Sequence, residues 1–264
     1  MQTYQWNAVE YAKSSSVQQQ WARELILKLK LKGNERVLDI GCGDGKVTAE
    51  IASFVPDGSV LGIDNSEEMI KLSQSKYPID AFTNLRFQKQ DASSLPFNNE
   101  FDVIFSNATL HWIIDHNPVL QGISASLKDG GKILLQMGGR GNAHEVEVVM
   151  KRLIKKDEWS RYFDDFNFSY GFYGPDEYSR WLLEAGLNAK RVELIPKDAK
   201  HEGCSGFKSW IRTTWLPYTH QVPEKERDLF ITQLADEYFK YHPADENDIV
   251  HVKMMRLEVK AVKL

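Results

Sequence analysis

A glycine-rich turn, Gly41-Cys42-Gly43-Asp44-Gly45, and an aspartate, Asp64, lying 23 residues past its first glycine, are the residues here whose types and spacing speak most directly of chemistry. Glycines let a backbone turn sharply and come close to a ligand without side-chain collision. A separation of ~20 residues is where an acid on a second strand reaches a ribose hydroxyl. The pair therefore fits a nucleoside-bearing cofactor. The dinucleotide fingerprint G-x-G-x-x-G/A is not met, because Lys46 holds its sixth position and the third glycine comes one place early at Gly45. Taken alone, the turn also reads as an ordinary strand-to-helix connection, and Asp64 with Asn65 and Ser66 as an Asx turn.

The elements that must position these residues follow from the apolar pattern. Short runs at Arg36–Ile40, Ser59–Asp64, Leu85–Gln90, Phe101–Asn107 and Lys132–Met137 read as strands. Helices are expected at Lys46–Phe54, Glu67–Tyr77 and Pro118–Leu127, after a leading helix over Val17–Leu31 with Trp21, Leu25 and Leu29 four residues apart. Such alternation with short connections implies a parallel sheet covered on both faces. Ligands then bind beyond the carboxyl ends of the strands, where Gly41, Asp64, Asp91 and Asn107 would gather.

From His144 the rhythm changes. Helices are expected at His144–Lys155, after Pro175, at Phe207–Leu216 and at Glu224–Tyr241, with a sixth strand at Ala189–Ile195. Leu257, Val259 and Ala261 alternate with charged neighbours, which reads as a half-exposed antiparallel edge strand over Met255–Ala261. No repeat or linker interrupts the chain. We expect one domain over residues 1–264, with a cofactor-binding core at about 33–140 and a helical cap with the last strands at about 141–264.

Composition narrows the class. Hydrophobic residues make up 42% and charged residues 27%, enough apolar content for a buried core. A net charge of −4 gives a nucleic-acid partner no support. Two cysteines without C-x-x-C spacing argue against a zinc site or a disulfide framework and suit a reducing compartment. With no signal peptide and no apolar run long enough to span a bilayer, a cytoplasmic protein without a membrane partner is expected.

The ordered series of motifs between Gly33 and Met137 carries a resemblance. Asp39-Ile40-Gly41-Cys42-Gly43-Asp44-Gly45 resembles the first motif of class I S-adenosylmethionine-dependent methyltransferases, and Gly62-Ile63-Asp64-Asn65-Ser66 the second. Gln90-Asp91-Ala92-Ser93-Ser94-Leu95-Pro96-Phe97 resembles their adenine-holding segment, Phe101–Asn107 their fourth strand, and Leu127–Ile133 the turn into the fifth. The resemblance implies an α/β, doubly wound, Rossmann-like and mostly parallel seven-stranded sheet, with an antiparallel last strand and a late helical cap. It implies S-adenosyl-L-methionine as cofactor, bound by Asp39, Gly41, Gly43, Asp64, Asn65, Asp91, Ala92 and Asn107. In that scheme Asp39 faces the amino group, Asp64 both ribose hydroxyls and Asp91 the adenine amine. Asp91 reads equally as the cap of the turn that follows it.

Ser106-Asn107-Ala108-Thr109-Leu110-His111-Trp112 replaces the Asn/Asp-Pro-Pro-Tyr segment that amino methylation would suggest. Leu110-His111-Trp112, with Trp6-Asn7-Ala8, Tyr11 and Val17-Gln18, resembles the group that includes trans-aconitate methyltransferase and juvenile hormone acid methyltransferase. That likeness implies a small carboxylic acid as acceptor, with Gln18, Trp112 and Tyr11 on its side; side-chain N–H donors suit a carboxylate. His111 is the candidate base, or else a structural histidine after a strand end. Trp112 also reads as a core aromatic and Gln18 as a solvated helix position. Methylation of a hydroxyl, amine or carbon is the second expectation. A nicotinamide-dependent oxidoreductase is a third, disfavoured by Lys46 and the Asp91 segment. Trp6, Tyr11 and Trp21 could close over the cofactor mouth, or simply pack the leading helix.

Overall fold

A computed structural model describes residues 16–264. In chain order the elements are α1 (Ser16–Leu29), β1 (Arg36–Ile40), α2 (Lys46–Ser53), β2 (Ser59–Asp64), α3 (Glu67–Lys76), β3 (Leu85–Lys89), β4 (Phe101–Asn107), α4 (Asn117–Ser126) and β5 (Leu127–Gly138). There follow α5 (His144–Leu153), α6 (Asp157–Ser160), α7 (Pro175–Glu184), β6 (Leu187–Glu202), α8 (Gly203–Thr214), α9 (Leu216–Thr219), α10 (Glu224–Phe239) and β7 (Ile249–Lys263). Two compact units result. Gln18–Arg140, Tyr170–Ile195 and Arg256–Leu264 form the larger, and Gly141–Ser169 with Pro196–Met255 belong to the other.

The seven-stranded sheet has the order β3-β2-β1-β4-β5-β7-β6. Strands β1 to β5 pair in parallel, and β7 runs antiparallel to β5 with Leu135 opposite Val259. Successive side chains of a strand point to opposite faces, so the apolar runs feed two cores. Leu38, Ile40, Ile104, Ile133 and Leu135 pack with Val119, Leu120 and Ile123 of α4 and with Tyr178 and Leu182 of α7. Val37, Val60, Val103, Phe105 and Leu134 pack against Leu25, Ile26 and Leu29 of α1 and Ile51 of α2. Burial on both faces explains why these strands read as continuous apolar stretches.

The last strand corrects one expectation. It is not an edge, because β7 lies between β5 and β6, and it begins at Ile249. Leu257, Val259 and Ala261 are fully buried on one face, yet Glu258 is fully buried on the other. Its carboxylate is met by Lys28 of α1 at 2.8 Å, by Gln136 of β5 at 3.0 Å and by the Arg191 guanidinium. Alternation alone does not separate a solvated polar face from one covered by ion pairs. Trp21 packs as a helix-docking residue, 7% exposed with the Arg256 guanidinium 5.6 Å from its ring centroid. Trp6 and Tyr11 lie outside the described residues.

The smaller unit is aromatic and helical. Phe207 of α8 stacks on Tyr238 of α10 at 4.8 Å between ring centroids, and Trp159 of α6 donates its indole N–H to Gln233 at 2.8 Å.

Candidate functional site

The turn after β1 is stapled to the end of β2. Gly41 N and Cys42 N both donate to Ile63 O, at 2.7 and 3.0 Å. Gly43 N donates to Asp64 Oδ2 at 3.1 Å, and Ser66 N to Asp64 Oδ1 at 2.9 Å. Ser66 then caps α3 by accepting from Met69 N. Gln90 N donates to Asp64 O at 3.0 Å, which ties the end of β3 to the same point. One residue later, Asp91 Oδ1 accepts from Ser93 N at 2.7 Å and caps the 3-10 turn Ala92–Ser94. Both carboxylates thus perform the local structural jobs that their neighbours suggest. A carboxylate has about four lone-pair positions, so each retains acceptor capacity toward a ligand. Ala92 is buried beside Asp91, whereas Asn65 is exposed beside Asp64.

Asp39 is 2% exposed and accepts from Thr48 Oγ1 at 2.7 Å. Burial, reinforced by the charge of Asp64 and opposed by the Thr48 hydroxyl, pushes its pKa up to about 7. The Asp64 carboxyl is also raised by the packing around it, although one side of the residue reaches solvent; the N–H groups of Ser66 and Gly43 pull it back. Two desolvated acids side by side favour a proton or a cation near them.

Two glycines of the turn divide the work. Gly43 has φ +54°, and among the described residues none but its chain neighbours comes within 4 Å of where a Cβ would stand, so no described side chain covers it. Gly45 has φ +82°, and a Cβ there would lie 2.7 Å from the Phe87 ring and 2.9 Å from Ser73 Cβ. Gly43 leaves room for something outside the protein; Gly45 lets α2 close onto β3 and α3. An adenosyl amino acid would offer hydroxyls, an amine and an ammonium to this rim of carboxylates, and the open side of Gly43 admits it. The residues fit the group.

Beyond β4, Asn107 is half-buried and Ala108 has φ +57°. Thr109 Oγ1 sits 3.2 Å from both Gly41 O and Asn107 O, joining this segment to the glycine turn. His111 and Trp112 follow on the 3-10 turn Leu110–Trp112. His111 stacks on Phe172 and meets Tyr170 edge-on, and its Nδ1 is buried without a hydrogen bond among the described residues. Burial, with the Arg256 cation nearby, holds the imidazole well below the ordinary histidine range, so it is neutral at pH 7. Trp112 is half-buried against Tyr170, with centroids 4.7 Å apart. The side chain of Gln18, like Tyr11, lies outside the described residues.

The larger unit therefore brings Asp39, Gly41, Gly43, Asp64, Asp91, Asn107 and the His111 turn to one rim of the sheet. Three contributors are missed by sequence reasoning. Thr48 bonds Asp39, Thr109 bridges the β1 and β4 ends, and Asp44 is a buried acid paired with Lys76 at 2.8 Å. A hydroxyl in the first turn of the helix after the glycines was a usable signal for Thr48; the contacts of Thr109 and Asp44 span too much chain to be read locally.

Residues 31–184 match the family model described as a methyltransferase domain. The chain belongs to this methyltransferase family. A methyltransferase of Schizosaccharomyces pombe is 30% identical over 83% of this chain and 84% of its own length. The trans-aconitate 2-methyltransferase of Rhizobium etli is 25% identical over 98% of this chain and 99% of its own length. The geranyl diphosphate C-methyltransferase of Streptomyces coelicolor, solved with S-adenosyl-L-homocysteine, shares the fold with a TM-score of 0.56 at 14% identity, over 93% of this chain and 80% of that one. The protein is thus a class I methyltransferase near the trans-aconitate group, and its cofactor is S-adenosylmethionine. No described helix of this methyltransferase is long and apolar enough to cross a membrane.

Proposed function

We propose that this methyltransferase esterifies a small carboxylic acid. What supports the reading is the end-to-end similarity to a trans-aconitate 2-methyltransferase, joined to a neutral His111 and the Trp112 indole on the segment that Thr109 ties to Gly41. When bound, S-adenosylmethionine supplies an electrophilic methyl group on a sulfonium. Asp64 accepts from the ribose hydroxyls, Asp91 from the adenine amine, and Asp39 faces the ammonium, through water where its burial demands it. Trp112, with Gln18, donates N–H to the acceptor carboxylate and aims one oxygen at the methyl. A carboxylate is already a nucleophile, so the residues need only orient it; well-aligned reactants can gain ~7–11 kcal/mol in this way.

The buried Nδ1 of neutral His111, which has no hydrogen bond among the described residues, favours one second reading, a hydroxyl acceptor whose proton His111 would take. The two separate in one assay. With labelled S-adenosylmethionine and a panel of trans-aconitate, linear C6–C12 acids and their alcohols, acids should give an alkali-labile methyl ester. Label found only in alkali-stable ethers from the alcohols would overturn the carboxylate reading.

Asp39 sets a pH dependence. With a pKa of about 7 in the free protein, it must lose a proton before it can pair with an ammonium. Binding therefore tightens as pH rises toward and through 7, then levels. The Kd for S-adenosylhomocysteine should be about tenfold weaker at pH 6 than at pH 8, from one linked proton. Asp39→Asn should flatten that profile in calorimetry; an unchanged slope would remove Asp39 from the ammonium side.

A further inference from the structure

The turn carrying His111 and Trp112 has its own bonds, Trp112 N to Thr109 O at 3.0 Å and Ile113 N to Leu110 O at 2.9 Å, and is held from outside as well. One backbone carbonyl of the turn and two of the residues just after it are gripped by groups outside it. His111 O accepts from Gly171 N at 2.8 Å, Ile113 O bonds His116 Nε2 at 2.9 Å, and Ile114 O accepts from the Tyr173 hydroxyl at 2.6 Å. His116 is itself the pivot. It is 1% exposed, it precedes α4, and its ring is enclosed by Tyr173, Tyr178 and Trp181 with centroids 5.0, 5.4 and 6.0 Å away.

The hydrogen bonds fix its tautomer. A carbonyl oxygen only accepts, so Nε2 carries the proton toward Ile113, and Nδ1 must accept from the Tyr178 hydroxyl 2.5 Å away. That hydroxyl also touches Met137 Sδ at 3.1 Å, on the buried strand β5. A chain of contacts thus runs from β5 through Tyr178 and His116 to the backbone immediately after Trp112. A helix of the apolar core needs no such polar relay for packing alone; phenylalanine would fill the same volume as Tyr178. The relay instead specifies an orientation, since hydrogen bonds of buried groups are directional and costly to leave unmade.

We propose that His116 and Tyr178 are positioning residues for the acceptor side, locking the Leu110–His116 segment so that His111 and Trp112 face the methyl. This rests on the reading of His111 and Trp112 as acceptor-side residues. Among the described residues the side-chain hydrogen bonds of His116 and Tyr178 run to Ile113, to each other and to Met137, and none to Asp39, Asp64 or Asp91, so the pair is expected to act on the acceptor side.

The test compares wild type with Tyr178→Phe, His116→Gln and Tyr173→Phe. The glutamine retains a donor for Ile113 O, and the third variant removes only the partly exposed bond to Ile114 O, so its folding is not at risk. Three readouts are taken: Kd for S-adenosylhomocysteine, KM and kcat for whichever panel acid the wild type methylates, and amide exchange of residues 108–117. Tyr178→Phe should leave the Kd within about twofold, lower kcat/KM at least tenfold and speed exchange at 108–117 while β1 and β4 remain protected. His116→Gln, which keeps a donor for Ile113 O, should lose less than Tyr178→Phe, and Tyr173→Phe should show a smaller effect of the same kind. Unchanged kcat/KM, or loosening spread equally over β1 and β4, would overturn the positioning role. If the wild type methylates no acid, the carboxylate reading fails separately, and the pair is then judged by exchange: loosening confined to 108–117 supports it, and none there overturns it.

Discussion

Asp64→Ala is expected to weaken S-adenosylhomocysteine binding by about 100-fold, near 2.7 kcal/mol, when measured by calorimetry. The size follows from what one carboxylate does. It holds Gly43 N and Ser66 N in place and has room for two hydroxyl donors. Hydrogen bonds to a charged group contribute about 1.5–3 kcal/mol each, and the glycine turn would also lose its anchor. Asp64→Asn separates the two contributions. The amide retains the shape and one acceptor oxygen but no charge, and packing already opposes ionisation at this position. We expect its melting temperature within a few degrees of wild type, with affinity lowered about tenfold. Equal affinity for wild type and both variants would place the ribose elsewhere.

The second large effect distinguishes two glycines that look alike on paper. Gly45→Ala forces a methyl to within 2.7 Å of the Phe87 ring in a left-handed backbone conformation. The strain of that conformation is about 1–2 kcal/mol and overpacking adds about 1–3, so a loss of roughly 2–5 kcal/mol in unfolding free energy is expected. Gly43→Ala meets no atom of the described residues beyond its chain neighbours, so a backbone strain of about 1–2 kcal/mol is expected. Its methyl would stand in the space assigned to the cofactor, and affinity should fall at least thirtyfold. Denaturant unfolding and calorimetry on the same two proteins check both halves. Should Gly43→Ala bind as wild type does, the open side of the turn is not where the cofactor lies.

Much of this fold is legible in the chain because its central strands are covered on both faces. Val37, Leu38 and Ile40 can be read as a strand without knowing which core each enters. The glycine turn is legible for a similar reason, since few backbone paths tolerate left-handed residues at Gly41, Gly43 and Gly45 in succession. Asp64 and Asp91 are harder. Each performs a turn or cap bond that sequence suggests, and the same atoms leave capacity for a ligand, so the two readings coexist. The last strand shows where local pattern fails. Glu258 alternates with apolar residues as a solvated charge would, and only the distant Lys28, Gln136 and Arg191 make its burial possible. His116 has no local signature either, because the side chain that orients its ring, Tyr178, lies 62 residues on.

The most direct measurement is amide hydrogen exchange with and without S-adenosylhomocysteine, read peptide by peptide. The account predicts slowed exchange together at residues 41–46, 64–66 and 91–95, with none at the opposite ends of the strands around residues 32–35 and 130–132. Protection confined to one of the three loops, or found at the opposite rim instead, would contradict a shared grip on one adenosyl group.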